Sequence, residues 1–262
     1  LINGGKHADN NLDIQEFMVI PDRLEGYPNQ LSAGQLIFTT LGQILDGDHI
    51  ARTFGDEGGY APNLDTNEMA CDYLVRAIED SGYKKWDEVS LGLDVAASNV
   101  PPTFDKTPSR YLGLLQDFPI LSLEDPFPEE NWGDWSKFLS QVEKSIATDK
   151  KLLLIGDDLY VTNPQRLDRG IKEKSTNAVL LKLNQIGSLS ETMMVAEMAR
   201  TAGMMTVVSH RSGETLDDFI ADFAVGIGAQ FIKSGAPNES HPERMTKYRR
   251  LLTIERQLMS AR

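Results

Sequence analysis

Asp94, Glu124, Asp157, Lys182, His210 and Lys233 each stand at the end of a short apolar run. Their side chains can hold a cation, move a proton or grip an anion. Three carboxylates gathered at one point repel one another unless a cation joins them. Oxygen ligands without thiolate or imidazole suit a hard divalent ion, so Mg²⁺ is the expected partner of Asp94, Glu124 and Asp157. Any one of these acids alone is better explained as a cap on the helix that follows it. Three on consecutive runs favour the metal. Gly156-Asp157-Asp158 also matches a tripeptide of some polymerases, a weak match that the chain's acidity disfavours.

Lys182 interrupts "NAVLLKLNQ", which reads as a strand buried on both faces. A buried ammonium is costly unless it is paired or loses its proton. Near a divalent ion, Lys182 and Lys233 are expected to have depressed pKa values, which lets one of them act as a base. An ion pair with one of the acids is the competing reading. In "SHRSGET", Arg211 offers a planar fork and Ser212 a hydroxyl, a pair suited to a phosphate or carboxylate. No nucleophile elbow surrounds either serine, which excludes a serine hydrolase of that type. "GDEGGYAPN" carries Glu57 on glycines that let the backbone approach a ligand, and it lacks the Gly-Lys-Ser/Thr of a P-loop. In "DIQEFMVIP", Glu16 falls on the side of Ile14, Met18 and Ile20, where its carboxyl is expected either to stay protonated or to share a proton with a neighbour such as Glu57. "DNNLD" begins like a calcium loop but lacks the required glycine and glutamate.

The elements that must position these groups alternate regularly. Six apolar runs, from "SLGLDVAAS" to "AQFIKSGAP", read as strands separated by amphipathic helices. Asp65 with Glu68, Asn163-Pro164, and Ser188 with Glu191 mark three helix starts. Trp132, Trp135, Phe138, Leu139 and Val142 form one apolar stripe. Residues 99–109 read as a surface loop. The early strand "DIQEFMVIP" breaks the pattern, since two helical segments follow it. A (β/α) barrel with an irregular start is favoured over an open doubly wound sheet. In a parallel barrel all six chemical strand ends meet on one rim.

The 262 residues allow a sizeable core, with 40% hydrophobic and 25% charged. A net charge of −13 argues against nucleic acid and acidic membrane surfaces as partners. The single cysteine, Cys71, excludes an internal disulfide and fits a reducing, cytoplasmic setting. No apolar stretch reaches membrane-spanning length, so no membrane insertion is expected.

"INGGKHADN", "QEFM", "GDEGGYAPN", "LGLDVAAS", "SLEDPF", "GDDLYVTNP", "LLKLNQIGS", "SHRSGET", "IKSGAP" and "KYRRLLTIE" occur in the order found in one family. Over nearly its whole length the chain resembles the C-terminal barrel domain of the enolase family. The resemblance implies an irregular (β/α)8 TIM-like barrel over residues 1–262, its second strand antiparallel and its first a stub at Leu1–Asn3. It implies an N-terminal capping domain that this chain does not contain. It implies Mg²⁺-dependent dehydration of 2-phosphoglycerate by a homodimer or higher homo-oligomer. Asp94, Glu124 and Asp157 would hold the metal, Lys182 would take the C2 proton, and Glu57 with Glu16 would protonate the leaving hydroxyl. Lys233 would meet the substrate carboxylate, Arg211 and Ser212 the phosphate, and His7, Gln15 and His210 would complete the wall. A binding protein of the same fold, or another lyase or isomerase of the superfamily, is the alternative. "AASNVPP" and "GAPNESHPER" depart from the family pattern without touching these residues.

Overall fold

The computed structural model describes residues 1–145 and 152–260. The chain starts with β1 (Ile2–Asn3) and β2 (Glu16–Ile20), followed by two helices, α1 (Tyr27–Gly47) and α2 (Asn67–Asp80). Strand and helix then alternate: β3 (Ser90–Asp94), α3 (Pro108–Asp117), β4 (Ile120–Glu124), α4 (Trp132–Ser145), β5 (Leu153–Gly156) and α5 (Pro164–Glu173). β6 (Ala178–Leu181) leads into the single turn α6 (Leu183–Ile186) and then α7 (Leu189–Thr201). β7 (Met205–Ser209), α8 (Phe219–Ile227), β8 (Phe231–Lys233) and α9 (Pro242–Ser260) complete the order.

The strands form one sheet in the order β1 to β8. β2 is antiparallel to both β1 and β3, and every later pair is parallel. The two helices after β2 account for this. One helix returns the chain to the far end of a sheet, whereas a packed pair brings it back to the end it left. The sheet curls far enough for Lys233 on β8 to touch Glu16 on β2. Cross-strand register then sets Asn3, Glu16, Asp94 and Glu124 in one row.

Alternation divides the strands between two apolar regions. Leu153, Ile155, Ala178, Leu180 and Val207 pack inside the barrel. Leu93, Leu123, Leu154, Val179, Leu181 and Val208 face the helices. A half-open cavity of about 770 Å³ is bordered by Met18, Ser122, Ile155 and Val207 on the strands and by Tyr27 and Leu251 on the helices.

Three local expectations need correction. The cap of α2 is Thr66, whose hydroxyl accepts from Met69 N at 3.1 Å, in place of Asp65. Glu68 instead pairs with Arg110. Residues 99–109 are not wholly surface, because Val100 and Phe104 are buried and α3 begins at Pro108. Lys182 is not in mid-strand, since β6 ends at Leu181. Lys182 caps α6 and continues the inward register of Leu180. The caps at Asn163 and Ser188 stand as expected.

Candidate active site

The rim pocket, about 290 Å³, is lined by His7, Gln15, Glu16, Glu57, Asp94, Asp157, Lys182, His210, Arg211, Ser212 and Lys233. Glu124 lies just beneath and reaches the same group through Lys233. Thus all twelve expected residues meet at one end of the barrel. Glu16 joins them from the start of its strand because β2 runs backwards, which brings its first residue level with the ends of β3 and β4.

Lys233 Nζ sits 3.0 Å from Glu16 Oε2, 3.1 Å from Asp94 Oδ2 and 3.0 Å from Glu124 Oε2. Burial pulls its pKa down, but the charges of Asp94, Glu124 and Glu16 outweigh that and hold it well above the ordinary lysine value. Lys182 pairs with Asp157, whose other oxygen accepts from Gln185 at 3.1 Å. Burial again works against its charge, yet Asp157 keeps its pKa raised. Both directions are set by the carboxylates alone, whereas the depression expected of the two lysines is that of ammonium groups beside a divalent ion. In direct contact with carboxylates, an ammonium gains more from pairing than it loses to desolvation.

The carboxylates divide in their response. Burial raises Glu16 to about 8, and the charge of Glu57 adds to the shift. Burial also raises Glu57, against the pull of Lys233 and Arg244. Both shifts favour the protonated form of a carboxyl in this pair. Glu124 is pushed well up by burial and by Asp94. Asp94 is lowered: burial opposes its charge, but Lys233 overcomes that.

Glu57 is presented by tightly packed loop backbone. A side chain at Gly55 would meet Asn3 Cβ at 2.5 Å, and Gly59 N donates to Asn3 Oδ1 at 3.1 Å. The glycines therefore dock the loop on β1. Across the rim, Arg211 Nη1 donates to Asn184 Oδ1 at 2.6 Å.

Two groups escaped the sequence reading. Asp125 is buried beside Glu124, and its two oxygens accept from the backbone N–H groups of Asp157 and Asp158 at 3.0 and 2.7 Å. The adjacent "Glu-Asp" was a signal, though either acid could have been taken as the ligand. Arg244 is buried beneath "SHRSGET". It shares helix spacing with the buried Leu251, the one hint that a cation stood on an apolar face.

Oxygen donors suited to a hard cation gather at this rim, although among the described residues Asp94, Glu124 and Asp157 do not form one of the close ligand groups. Glu16, Glu57, Asp94, Glu124, Asp125 and Asp157 are all buried. Asp125, Asp157 and Asp158 offer oxygens within 4.8 Å of one another, as do Glu16 and Glu57 with a nitrogen of His7. Carboxyls that push one another toward neutrality are the ones a divalent ion would ionise.

Fold and rim define an α/β barrel of the irregular type, with an acid- and lysine-lined site at the strand ends. The family described as enolase, C-terminal TIM barrel domain, matches residues 1–262, and the chain belongs to that family. It is 42% identical over 271 residues to the enolase of Natranaerobius thermophilus, an alignment covering 98% of this chain. The chain spans 62% of that relative's length.

Proposed function

We propose that this protein catalyses the reversible Mg²⁺-dependent dehydration of 2-phosphoglycerate to phosphoenolpyruvate. The observation that carries the reading is the meeting of Lys182, the Glu16–Glu57 pair and Lys233 in one pocket with Arg211 and Ser212. These groups answer separately to an acidic C–H, a leaving hydroxyl, a carboxylate and a phosphate.

In this reading Asp94, Glu124 and Asp157 would hold Mg²⁺, which when bound would draw carboxylate charge away from the lysines and offset charge on the substrate carboxylate. Lys182 Nζ, as the free amine, takes the C2 proton. Glu57 gives the proton it shares with Glu16 to the C3 hydroxyl. The C3–O bond breaks, water leaves, and the C2–H electron pair becomes the new double bond. Lys233 offsets charge gathering on the substrate carboxylate. Arg211 and Ser212 bind the phosphate, while His7, Gln15 and His210 line the site and exclude water. These local cations oppose the −13 net charge, which would otherwise repel an anionic substrate.

The catalytic unit proposed is the barrel of residues 1–262, acting in the cytoplasm within a homo-oligomer and with the capping domain implied by the family resemblance. Among the described residues, no helix is long and apolar enough to cross a membrane. The intact protein, given 2-phosphoglycerate and Mg²⁺, is expected to form an ultraviolet-absorbing enolpyruvate that stops accumulating on chelation. A folded, Mg²⁺-loaded protein that forms none would overturn the reading.

A further inference from the structure

Two cations occupy α9 where apolar side chains belong. Positions 244, 247, 251 and 254 share one helix face, and Arg244, Lys247, Leu251 and Ile254 are all buried there. Lys247 Nζ donates to Thr215 O at 2.6 Å and pairs with Glu214, anchoring the far end of "SHRSGET". Arg244, 1% exposed, does more. Its Nη1 donates to Nδ1 of His210 and to Arg211 O, both at 2.7 Å. Its Nη2 donates to Ser212 O at 2.6 Å and to Asp56 O at 2.8 Å.

A guanidinium has only donors and keeps its charge, so whatever faces it must accept. Nδ1 of His210 must therefore present a lone pair, and the single ring proton must lie on Nε2. A doubly protonated ring would turn an N–H against the guanidinium. The freed Nε2 is buried, makes no conventional hydrogen bond and stands 3.3 Å from Glu57 Oε1. Burial, with the positive charge of Arg244, also keeps the imidazole pKa well below its ordinary value.

We propose that Arg244 is a positioning residue that fixes His210 as the neutral, Nε2-protonated tautomer aimed at Glu57 and ties the Arg211–Ser212 loop to the Glu57 loop. Its consequence for catalysis rests on the reaction proposed above; the tautomer itself does not. A lysine at 244 keeps the charge but lacks the fork that reaches a ring nitrogen and three carbonyls together.

Nitrogen NMR of the intact, Mg²⁺-loaded protein with labelled histidine reads the tautomer, the His210 signal being assigned from its loss in His210→Gln. The expected result is a bare Nδ1 and a protonated Nε2. Folded Arg244→Lys should show a shifted tautomer ratio, with kcat for 2-phosphoglycerate lowered about 10- to 100-fold. A protonated Nδ1 in the wild type, or a folded Arg244→Lys with unchanged His210 signals and kcat, would overturn the proposal. Should Arg244→Lys fail to fold, the wild-type spectrum alone decides. The expected tautomer in a protein that forms no enolpyruvate would uphold the Arg244 assignment and strike down the reaction instead.

Discussion

At the scale of single residues, Lys182 is ion-paired in the structure and is the base in the proposed reaction. Its partner, Asp157, keeps it protonated until that carboxylate's charge is engaged elsewhere. Lys182→Ala should lower kcat by at least about 100-fold, the usual scale for losing a positioned base, with the circular dichroism spectrum unchanged. An activity within a few-fold of wild type would remove Lys182 from the mechanism. Glu16 gives a second test. It ionises at about 8 in the fold, against about 4.3 in an unfolded chain. The fold therefore favours its protonated form. That contribution is fully present below about pH 4.3 and is lost as pH rises through about 8. Without Mg²⁺, the melting temperature should fall further between about pH 5 and about pH 9 in the wild type than in Glu16→Gln. Equal falls would place the raised carboxyl elsewhere.

At the scale of elements, the strand ends were legible because each is an apolar run closed by one polar residue. The capping of α2 was not, because Asp65 and Thr66 are both good caps and only backbone geometry chooses between them. Thr66→Ala should cost about 1 kcal/mol in denaturant unfolding, and Asp65→Ala much less. The opposite ranking would restore the capping box. The stripe on α4 was plain from its spacing, and Trp135 is the largest wholly buried side chain in it. Its ring meets Phe127 edge-on with centroids 6.0 Å apart, and its Nε1 donates to Pro128 O at 3.2 Å. Trp135→Ala should destabilise the barrel by about 3–5 kcal/mol. A loss below about 1 kcal/mol would mean that α4 contributes little to the core. The reversed direction of β2 came from the family resemblance, not from periodicity, which is the same for a strand run in either direction. Arg244 stayed hidden for a related reason: a charged residue near a helix start reads as solvated until the packing shows otherwise.

At the scale of the whole molecule, the barrel works by curling its sheet. Asn3, Glu16, Asp94, Glu124, Asp157, Lys182, His210 and Lys233 come from separate strands or the turns just past them. Only the curl of the sheet makes them neighbours. Concentrating so many buried acids costs stability that a divalent ion, bound as proposed, would return. Mg²⁺ at about 100 times its dissociation constant should stabilise the fold by about 2.7 kcal/mol, read as a rise in melting temperature that Asp94→Asn reduces. No rise in the wild type would argue against a resident metal. The most direct test of the central claim follows the hydrogen on C2. In deuterated buffer with Mg²⁺, proton NMR of 2-phosphoglycerate should show loss of the C2 signal with the wild-type protein. Glu57→Gln should keep that exchange while forming little phosphoenolpyruvate, and Lys182→Ala should abolish it. Exchange at the wild-type rate in folded Lys182→Ala would contradict the account.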